Sequence, residues 1–475
     1  AEFPDLVFAQ SQAQAYAWVE ESDPVLFRKI QRAERAGNWE VVGGMWSEPD
    51  CNIPGGESWT RQFLLAQRYF KDRFGSEVWL GWNPDSFGYN WNMPQLYSKA
   101  GIRAFITQKI SWNDTTVFPY HLFWWEAPDG SRILTYFPTG SYVERMEPER
   151  LVDQLMRFER NTGLDEVLVL YGVGNHGGGP NREILQRVRM LQQQPVFPRL
   201  VLGRARDFME RLLERDLSLL PVWRDELYLE NHRGTLTTQA KTKRGNRQGE
   251  GMLETAEKAA VIAQVMGGTY PADHLARAWK LLLLNQFHDI LPGSSITPVF
   301  RDAEADYDLV RKLAGRVIDE SLAVMADGVA VPEKDWRGVL VFNPLSWDRG
   351  GPVTVPLPAG APGSLEVIGP DGDVLPSTVI ISDDPIGAPL VARPDIAIAL
   401  NQPSFDKYEP LLKSGGLLVL NSSIVSEESE RADIETVAIA ANAIAEEFGS
   451  IKMLNMAALG AMLRRRPILW LPITP

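Results

Sequence analysis

The stretch WLGWNPDSFGYNWNMPQLYSKAGIRAFITQK (residues 79–109) decides the fold of the N-terminal part of the chain. The apolar run EVWLGW (77–82) predicts a buried strand that ends at Trp82, and a turn then presents Asp85 before a helix begins. The run AFIT (104–107) predicts the next strand. Strands that alternate with helices are typical of an α/β sheet with a largely parallel core.

Asp85 follows the carboxyl end of a predicted strand, where α/β sheets bind their ligands. A carboxylate in this position can bind a metal ion or attack an electrophile. The alternative is that Asp85 caps the helix that follows, since Asp is a good N-cap residue. Position alone favours the cap.

Working outward, the same alternation covers the first 200 residues. Helices are predicted at 23–37, which closes in Gly37, and at 56–73. Further strands are predicted at ILTYF (133–137) and EVLVLYGVG (166–174). These patterns predict an α/β catalytic domain.

Beyond residue 245 the pattern changes twice. Three helical segments (250–268, 272–291 and 302–328) joined by short turns predict a three-helix bundle. After Asp335 the run GVLVFNPLSWDRGGPVTVPLP (338–358) resembles the opening of a β-sandwich that stops too early to bury its faces.

From Thr378 onward, strand and helix patterns alternate again. We predict strands at 378–383, 395–400 and 415–421 and helices at 434–450 and 451–463, which together form a partial, Rossmann-like α/β domain. The predicted domains are an α/β domain (1–245), a helix bundle (246–330), a truncated β-sandwich start (336–376) and a partial α/β domain (378–465).

Composition excludes several classes of partner. The net charge of −13 argues against nucleic acid, which needs a basic surface. No apolar run approaches the roughly 18 residues of a membrane span. A single cysteine, Cys51, excludes an internal disulfide and indicates a reducing, cytoplasmic location. A homo-oligomer is compatible with this composition.

Two further stretches carry residues with chemical potential. In LLLLNQFHDILPGSSI (281–296), His288 sits beside Asp289 at the end of an apolar helix, a suitable place for a metal-ligating imidazole. A buried structural histidine is the alternative. In LYGVGNHGGGPNRE (170–183), three glycines allow a ligand to approach the backbone, but the lysine of a phosphate-binding P-loop is missing.

Taken together, the motifs outweigh these alternatives. Besides the Asp85 turn they are, in chain order, MWSEPDCNIPGGESWTRQ (45–62), KISWNDTTVFPYHLFWWEAPDGSRILTYFP (109–138), GVGNHGGGP (172–180), ELYLENHRGTLTTQAKTKRGNR (226–247) and NQFHDILPGSSI (285–296). In this order and spacing they resemble glycoside hydrolase family 38, the α-mannosidases, of the bacterial type. The resemblance runs from residue 1 to about residue 375.

The resemblance implies a zinc-dependent retaining α-mannosidase that acts on α-mannoside oligosaccharides. One zinc ion is held in that family by an H-x-D motif, an Asp and a His. Asp85 matches the Asp, which is also the nucleophile, and His288 matches the His. The resemblance also places in the sugar pocket Phe87, Lys109, Trp112, Tyr142 and Asp289.

Two departures from the family pattern bear on activity. The printed sequence contains no H-x-D, and we expect the strand that carries it to lie before residue 1. Asn175 stands where the family has the Asp that resembles the general acid/base. An amide has no acidic proton to give, so we expect little or no mannosidase activity from this chain. A catalytically inactive carbohydrate-binding relic is one alternative.

The C-terminal residues resemble a different family. The run ALNQPSFDKYEPLLKSGGLLVLNSS (399–423) is similar to the gamma domain of 2-oxoacid:ferredoxin oxidoreductases, so a component of such an enzyme is the second alternative. That family holds thiamine diphosphate and iron–sulfur clusters mainly in other subunits or domains, and no catalytic residue is assigned here. Two unrelated partial domains that meet near Pro376 indicate a fused reading frame or an assembly artefact.

Overall fold

The structure is a computed structural model. It describes residues 2–173, 179–329, 338–348, 355, 367–368, 374–375, 394–447 and 454–465. The chain divides into two compact units, Ala1–Val355 and Pro356–Pro475, and each is described by itself. The four-domain division expected from the sequence stays a prediction.

The first unit contains seven strands and ten α-helices among its described residues. The strands are β1 (Phe8–Gln10), β2 (Trp39–Val41), β3 (Leu80–Trp82), β4 (Ala104–Ile106), β5 (Leu122–Glu126), β6 (Arg132–Tyr136) and β7 (Val222–Trp223). The helices are α1 (Ala13–Ser22), α2 (Pro24–Arg35), α3 (Gly56–Phe74), α4 (Met93–Lys99), α5 (Pro148–Thr162), α6 (Arg182–Gln192), α7 (Ala205–Leu213), α8 (Ala240–Val265), α9 (Ala272–Leu284) and α10 (Thr297–Asp327).

The main sheet has five strands in the order β3-β4-β6-β5-β7. β3, β4 and β6 are parallel, β5 is antiparallel to β6, and β7 is parallel to β5. β1 and β2 form a separate parallel pair. The parallel part of the sheet confirms the α/β prediction, and its three strands end in register at Trp82, Ile106 and Tyr136.

Local signals place α2 and α3 correctly. The Asp23 carboxylate accepts hydrogen bonds from the amides of Val25 and Leu26 and so caps α2, as an Asp before a first-turn proline should. α3 ends at Gly75, which has a φ of 80°. Only glycine adopts this left-handed conformation without strain, so the helix terminates there.

The strand predicted at EVLVLYGVG (166–174) is wrong for the described residues 166–173. Among them, Tyr171 forms an isolated parallel bridge with Glu144. The Gly172 amide donates to the Glu144 carbonyl, and the Glu144 amide donates to the Leu170 carbonyl. A strand needs a continuous ladder as well as β-forming residues. Here a single residue, Glu144, pairs with the described part of the stretch, and one bridge is not a ladder.

The helical segment contains three helices, as predicted, but α8 begins at Ala240 rather than at residue 250. α8, α9 and α10 share one apolar core with residues of α1, α2 and α3, and its centre is formed by buried alanines, leucines and valines such as Ala256, Leu282 and Val310. α9 ends at Leu284, so the predicted helix 272–291 is too long. The residues after Leu284 instead pair with the segment near Pro49, which pulls them out of the helix.

The second unit contains a three-stranded parallel sheet. Its described elements, with a short antiparallel pair before them, are β8 (Val367–Ile368), β9 (Val374–Leu375), β10 (Ile396–Ala399), α11 (Gln402–Tyr408), β11 (Leu417–Asn421), β12 (Glu435–Ile439), α12 (Ala441–Glu447) and α13 (Leu454–Arg465). The strands lie in the order β10-β11-β12. The sheet confirms the strands predicted at 395–400 and 415–421, and the strand predicted at 378–383 lies outside the described residues.

Two predictions near and within this unit need correction. Residues 435–439 form β12 rather than the start of a helix, because the alternating sequence ETVAI pairs with β11 in a parallel ladder. Residues 338–348 contain no strand, and the side chains of their apolar run stay largely exposed. A strand without a partner and a face to bury is not stable in water.

In the described part of the chain, no helix is both long and apolar enough to cross a membrane.

Candidate functional site

The carboxyl ends of β3, β4 and β6 gather the polar side chains of one pocket. Asp85 follows the end of β3, Lys109 follows the end of β4, and Tyr142 follows the end of β6. Because the three strands end in register, these residues meet at the same edge of the sheet. The pocket is therefore a product of the parallel ladder.

Asp85 is held by two donors on one of its oxygens. Its Oδ1 atom accepts hydrogen bonds from Lys109 Nζ at 2.6 Å and from Tyr142 Oη at 2.8 Å. The following helix, α4, begins at Met93. Asp85 is thus too far from that helix to cap it, and the capping alternative is wrong.

His288 faces Asp85 from the other side of the pocket. Its Nε2 atom lies 3.6 Å from Asp85 Oδ2, the oxygen that Lys109 and Tyr142 leave open. Its Nδ1 atom lies 2.9 Å from the carbonyl oxygen of Glu48, which can only accept a hydrogen bond. Nδ1 therefore carries a proton and Nε2 points at the carboxylate.

A short backbone pairing places His288. Pro49 and Phe287 form an antiparallel bridge, flanked by hydrogen bonds from Asp50 N to Gln286 O at 2.8 Å and from His288 N to Glu48 O at 3.0 Å. His288 is buried, as the structural alternative also expected, but its free nitrogen is directed at an acidic partner rather than at apolar side chains.

The electrostatics favour an ionised Asp85. Burial alone would raise the pKa of Asp85, but hydrogen bonds and charges from His288 and Lys109 outweigh it and hold this pKa below its usual range. Burial would lower the pKa of His288, yet its contact with Asp85 and the nearby charge of Glu48 raise it. Burial raises the pKa of Glu48.

The Asp85–His288 pair fits two ligands of a zinc ion. Ligand bonds of about 2.1 Å in a tetrahedral arrangement separate two donor atoms by about 3.4 Å, close to the 3.6 Å observed. The contact of His288 Nδ1 with a carbonyl is the usual outer-shell support of a metal-bound imidazole. Among the described residues, no group of three or more His, Cys, Asp and Glu side chains comes together at a metal-binding distance.

Aromatic rings form one wall of the pocket. Lys109 Nζ lies 3.7 Å from the ring centre of Trp112 and 5.3 Å from that of Phe87. The Phe87 ring lies 4.6 Å from His232 and 6.0 Å from His288. Flat apolar faces beside polar groups suit a sugar ring, whose C–H faces are apolar and whose edges carry hydroxyls.

The structure thus brings together most of the residues singled out from the sequence. Asp289 lies at the edge, with Oδ2 4.0 Å from His288 Nε2 and its other oxygen bonded to Ser294. Asn175 lies outside the described residues, as does most of the glycine-rich loop.

Two residues of the site were not identified from the sequence. His232 packs on Phe87, and the buried carboxylate of Glu48 accepts a hydrogen bond from Ser11 and lies beside His288. Both belong to motifs that carried the family resemblance, at 226–247 and 45–62. Membership in those motifs was the available signal, because neither residue has a local pattern of its own.

Family models match three segments of the chain. Residues 1–226 match the glycosyl hydrolases family 38 N-terminal domain, and residues 230–325 match the alpha mannosidase middle domain. Residues 371–470 match pyruvate ferredoxin/flavodoxin oxidoreductase. Both resemblances inferred from the motifs are confirmed, and the chain joins parts of two unrelated families.

Individual relatives agree with this division. The chain is 39% identical over 364 residues to alpha-mannosidase 2C1 of Homo sapiens, which covers 75% of this chain and 34% of that protein. It is 35% identical over 95 residues to 2-oxoglutarate synthase subunit KorC of Methanocaldococcus jannaschii, which covers 20% of this chain and 51% of that subunit. The chain thus spans about a third of the length of the mannosidase it matches.

A solved structure supports the fold of the first unit. An alpha-mannosidase from Enterococcus faecalis V583 superposes with a TM-score of 0.60 at 21% sequence identity. The match covers 68% of this chain and 38% of that one. The α/β domain followed by a helical segment is therefore an architecture shared with a solved structure.

Proposed function

Residues 1–325 of this chain belong to glycosyl hydrolase family 38, and we propose that they carry the site of a zinc-dependent retaining α-mannosidase. The observation that carries the proposal is the position of the Asp85 carboxylate, 3.6 Å from His288 and bonded to Lys109 and Tyr142. An ionised carboxylate beside a second potential metal ligand and an aromatic wall is what this chemistry requires.

In the proposed reaction, Asp85 is the nucleophile. A carboxylate oxygen attacks the anomeric carbon of the mannosyl unit, and the bond from that carbon to the leaving oxygen breaks. The leaving oxygen takes a proton from a general acid, and water later hydrolyses the ester to release mannose and restore the carboxylate. His288 and Lys109 keep Asp85 ionised, and the hydrogen bonds from Lys109 and Tyr142 orient its carboxylate.

Asp85 and His288 would hold the zinc ion. A bound zinc ion would supply positive charge beside a sugar hydroxyl and the distorted ring. Phe87 and His232 contribute by shaping the surroundings of the sugar. The ring of Phe87 and the neighbouring imidazole of His232 exclude water from one side of the pocket, which strengthens the polar contacts on the other.

The residue at position 175, Asn175, determines the rate of glycoside hydrolysis that we expect. It stands where the family has an Asp that resembles the acid/base, and an amide cannot protonate the leaving oxygen. Loss of a general acid typically costs about 10²–10⁴ in rate. We therefore propose that substrates with poor leaving groups react very slowly, whereas those with activated leaving groups still transfer their mannosyl unit to Asp85.

A fluorinated mannosyl fluoride tests this proposal directly. Fluoride leaves without a proton, and the ring fluorine slows hydrolysis of the ester, so the mannosyl group should accumulate on the enzyme. With zinc present, mass spectrometry of the full chain should show one added fluoromannosyl group, located by digestion to the peptide that contains Asp85. The variant Asp85→Asn should show no adduct.

The variant Asn175→Asp supplies the second arm of the test. In a chain that also carries an H-x-D motif, it should raise the hydrolysis rate of an unactivated aryl α-mannoside by about 10²–10⁴-fold. An adduct on a residue other than Asp85, or the same hydrolysis rate for both chains, would contradict the assignment. If sugars bind but neither adduct nor turnover appears, the second candidate, a non-catalytic mannose-binding protein, is favoured, which the Asn at position 175 also supports.

A further inference from the structure

Two loops at the mouth of the pocket are tied to each other. The Asn113 side chain donates to the carbonyl of Tyr228 at 3.0 Å and accepts from the amide of Glu230 at 2.7 Å. The Glu230 carboxylate in turn accepts from the amide and the hydroxyl of Thr115, both at 2.8 Å. These four hydrogen bonds hold the loops 112–116 and 228–236 in one arrangement, and we call the pair the rim.

The rim carries exposed aromatic surface. Trp112 is 47% exposed and Tyr228 is 42% exposed. The guanidinium of Arg233 lies 5.6 Å from the centre of the Tyr228 ring. Single exposed aromatic residues are common on protein surfaces. Here two of them lie on loops clamped by four hydrogen bonds, and one, Tyr228, has an arginine beside it. Such a surface is rigid and loses little entropy on binding.

The rim is continuous with the pocket. The Trp112 ring lies 6.4 Å from His232, which packs on Phe87 at 4.6 Å. Lys109 lies between Trp112 and the catalytic carboxylate, 3.7 Å from the ring and 2.6 Å from Asp85 Oδ1. Lys109 thus links the half-exposed Trp112 ring to the Asp85 carboxylate.

We propose that Trp112, Tyr228 and Arg233 form a subsite for the second sugar of the substrate, the pyranose on the leaving-group side. The aromatic rings pack against its apolar C–H face, and the guanidinium donates hydrogen bonds to its hydroxyls. Trp112 thus acts on the second sugar, at the mouth, while Phe87 and Lys109 surround the first. The inference rests on the proposed function, since it requires the mannosyl unit to lie at Asp85.

Equilibrium binding distinguishes contacts to the first sugar from contacts to the second, and it does not require turnover. Calorimetry on the full chain with zinc would compare methyl α-mannoside with the α-1,2-, α-1,3- and α-1,6-linked mannobioses. At least one mannobiose should bind about fivefold to tenfold more tightly than the monosaccharide, as expected for one stacked ring with a charged donor.

Tyr228→Ala is the decisive variant. It should remove most of the advantage of the mannobiose and leave the affinity for methyl α-mannoside within about twofold, whereas Tyr228→Phe should keep the advantage because the ring remains. Tyr408→Ala is the matched control, because Tyr408 is 38% exposed and carries Lys407 5.0 Å from its ring. This control should change neither affinity.

The possible outcomes distinguish the proposed subsite for the second sugar from the proposed mannosidase site. Methyl α-mannoside binding with no gain for any mannobiose would overturn the subsite and leave the proposed function standing. Equal losses for both sugars in Tyr228→Ala would show a structural role and also overturn the subsite. No binding of either sugar to the native chain would overturn both proposals.

Discussion

The Nε2 atom of His288 lies 3.6 Å from the Oδ2 atom of Asp85. One residue follows a strand of the α/β sheet and the other follows the helix α9, so two distant segments build one site. Pro49 connects these segments, because it pairs with Phe287 and its carbonyl accepts a hydrogen bond from the Ser86 hydroxyl at 2.8 Å. The helical segment is thus part of the pocket and does more than support it.

Zinc binding should depend on His288. Replacing it with Ala removes one of the two donors that face each other across the pocket, so the zinc affinity of the full chain should fall by about 100-fold or more. Competition with a chromophoric chelator measures this. His274→Ala, on the same helical segment but outside the site, is the control. Equal affinity in the His288→Ala variant and the native chain would remove the metal assignment.

Lys109→Met should destabilise the protein by about 1–3 kcal/mol at pH 7, because it leaves a partly buried carboxylate without its cation. The low pKa of Asp85 contributes stability above the ordinary carboxyl pKa that is lost as pH falls. The cost of the substitution should therefore shrink in acid. Urea unfolding gives the values.

Lys71→Met is the control for that measurement. Lys71 pairs with Glu77 at 3.0 Å, but the two side chains are 65% and 63% exposed. An exposed ion pair contributes only about 0–1 kcal/mol. Similar losses of unfolding free energy in both lysine variants would mean that burial does not strengthen the ion pair between Lys109 and Asp85.

Glu40 should give the stability a pH dependence of opposite sign. Its buried carboxylate accepts the amides of Ala205 and Arg206 at 2.8 Å each, and burial outweighs these bonds and raises the pKa of Glu40 above 4.5. The folded protein therefore binds this proton more tightly than the unfolded chain does. The stability that protonation contributes is lost as pH rises above 4.5.

The test compares the native chain with Glu40→Gln. The difference in unfolding free energy, native minus variant, should fall as pH rises from about 4.5 to 7. Taking the difference cancels the titration of the other groups. A difference that stays constant or increases with pH would be inconsistent with a raised pKa.

Gly245 should be required where α8 packs on α10. A Cβ atom at this position would lie 2.6 Å from the Tyr307 ring, so Gly245→Ala should cost about 1–3 kcal/mol through overpacking. Gly251 lies on the same helix with open space around it, and Gly251→Ala should gain up to about 1 kcal/mol from helix propensity. Thermal unfolding of both variants should show shifts of opposite sign.

The boundaries of α2 and α3 were predictable because they depend on neighbouring residues, whereas the predicted start of α8 and the predicted end of α9 were wrong. Asp23 before Pro24 begins α2, and Gly75 ends α3, through hydrogen bonds and dihedral preferences within one turn. Strands were predicted less well. EVLVLYGVG has the composition of a strand but only one bridge, whereas ETVAI lies in a segment predicted as helix and pairs with β11. Strand formation depends on a partner that is remote in sequence.

The sequence by itself determined the family and the change of family near residue 376, because long ordered motifs carry that information locally. Only the tertiary structure decided that Asp85 faces His288 rather than capping a helix, and that Trp112 lies at the mouth while Lys109 is buried. Register between parallel strands and the pairing of distant loops place these side chains. Both are long-range contacts that no local pattern encodes.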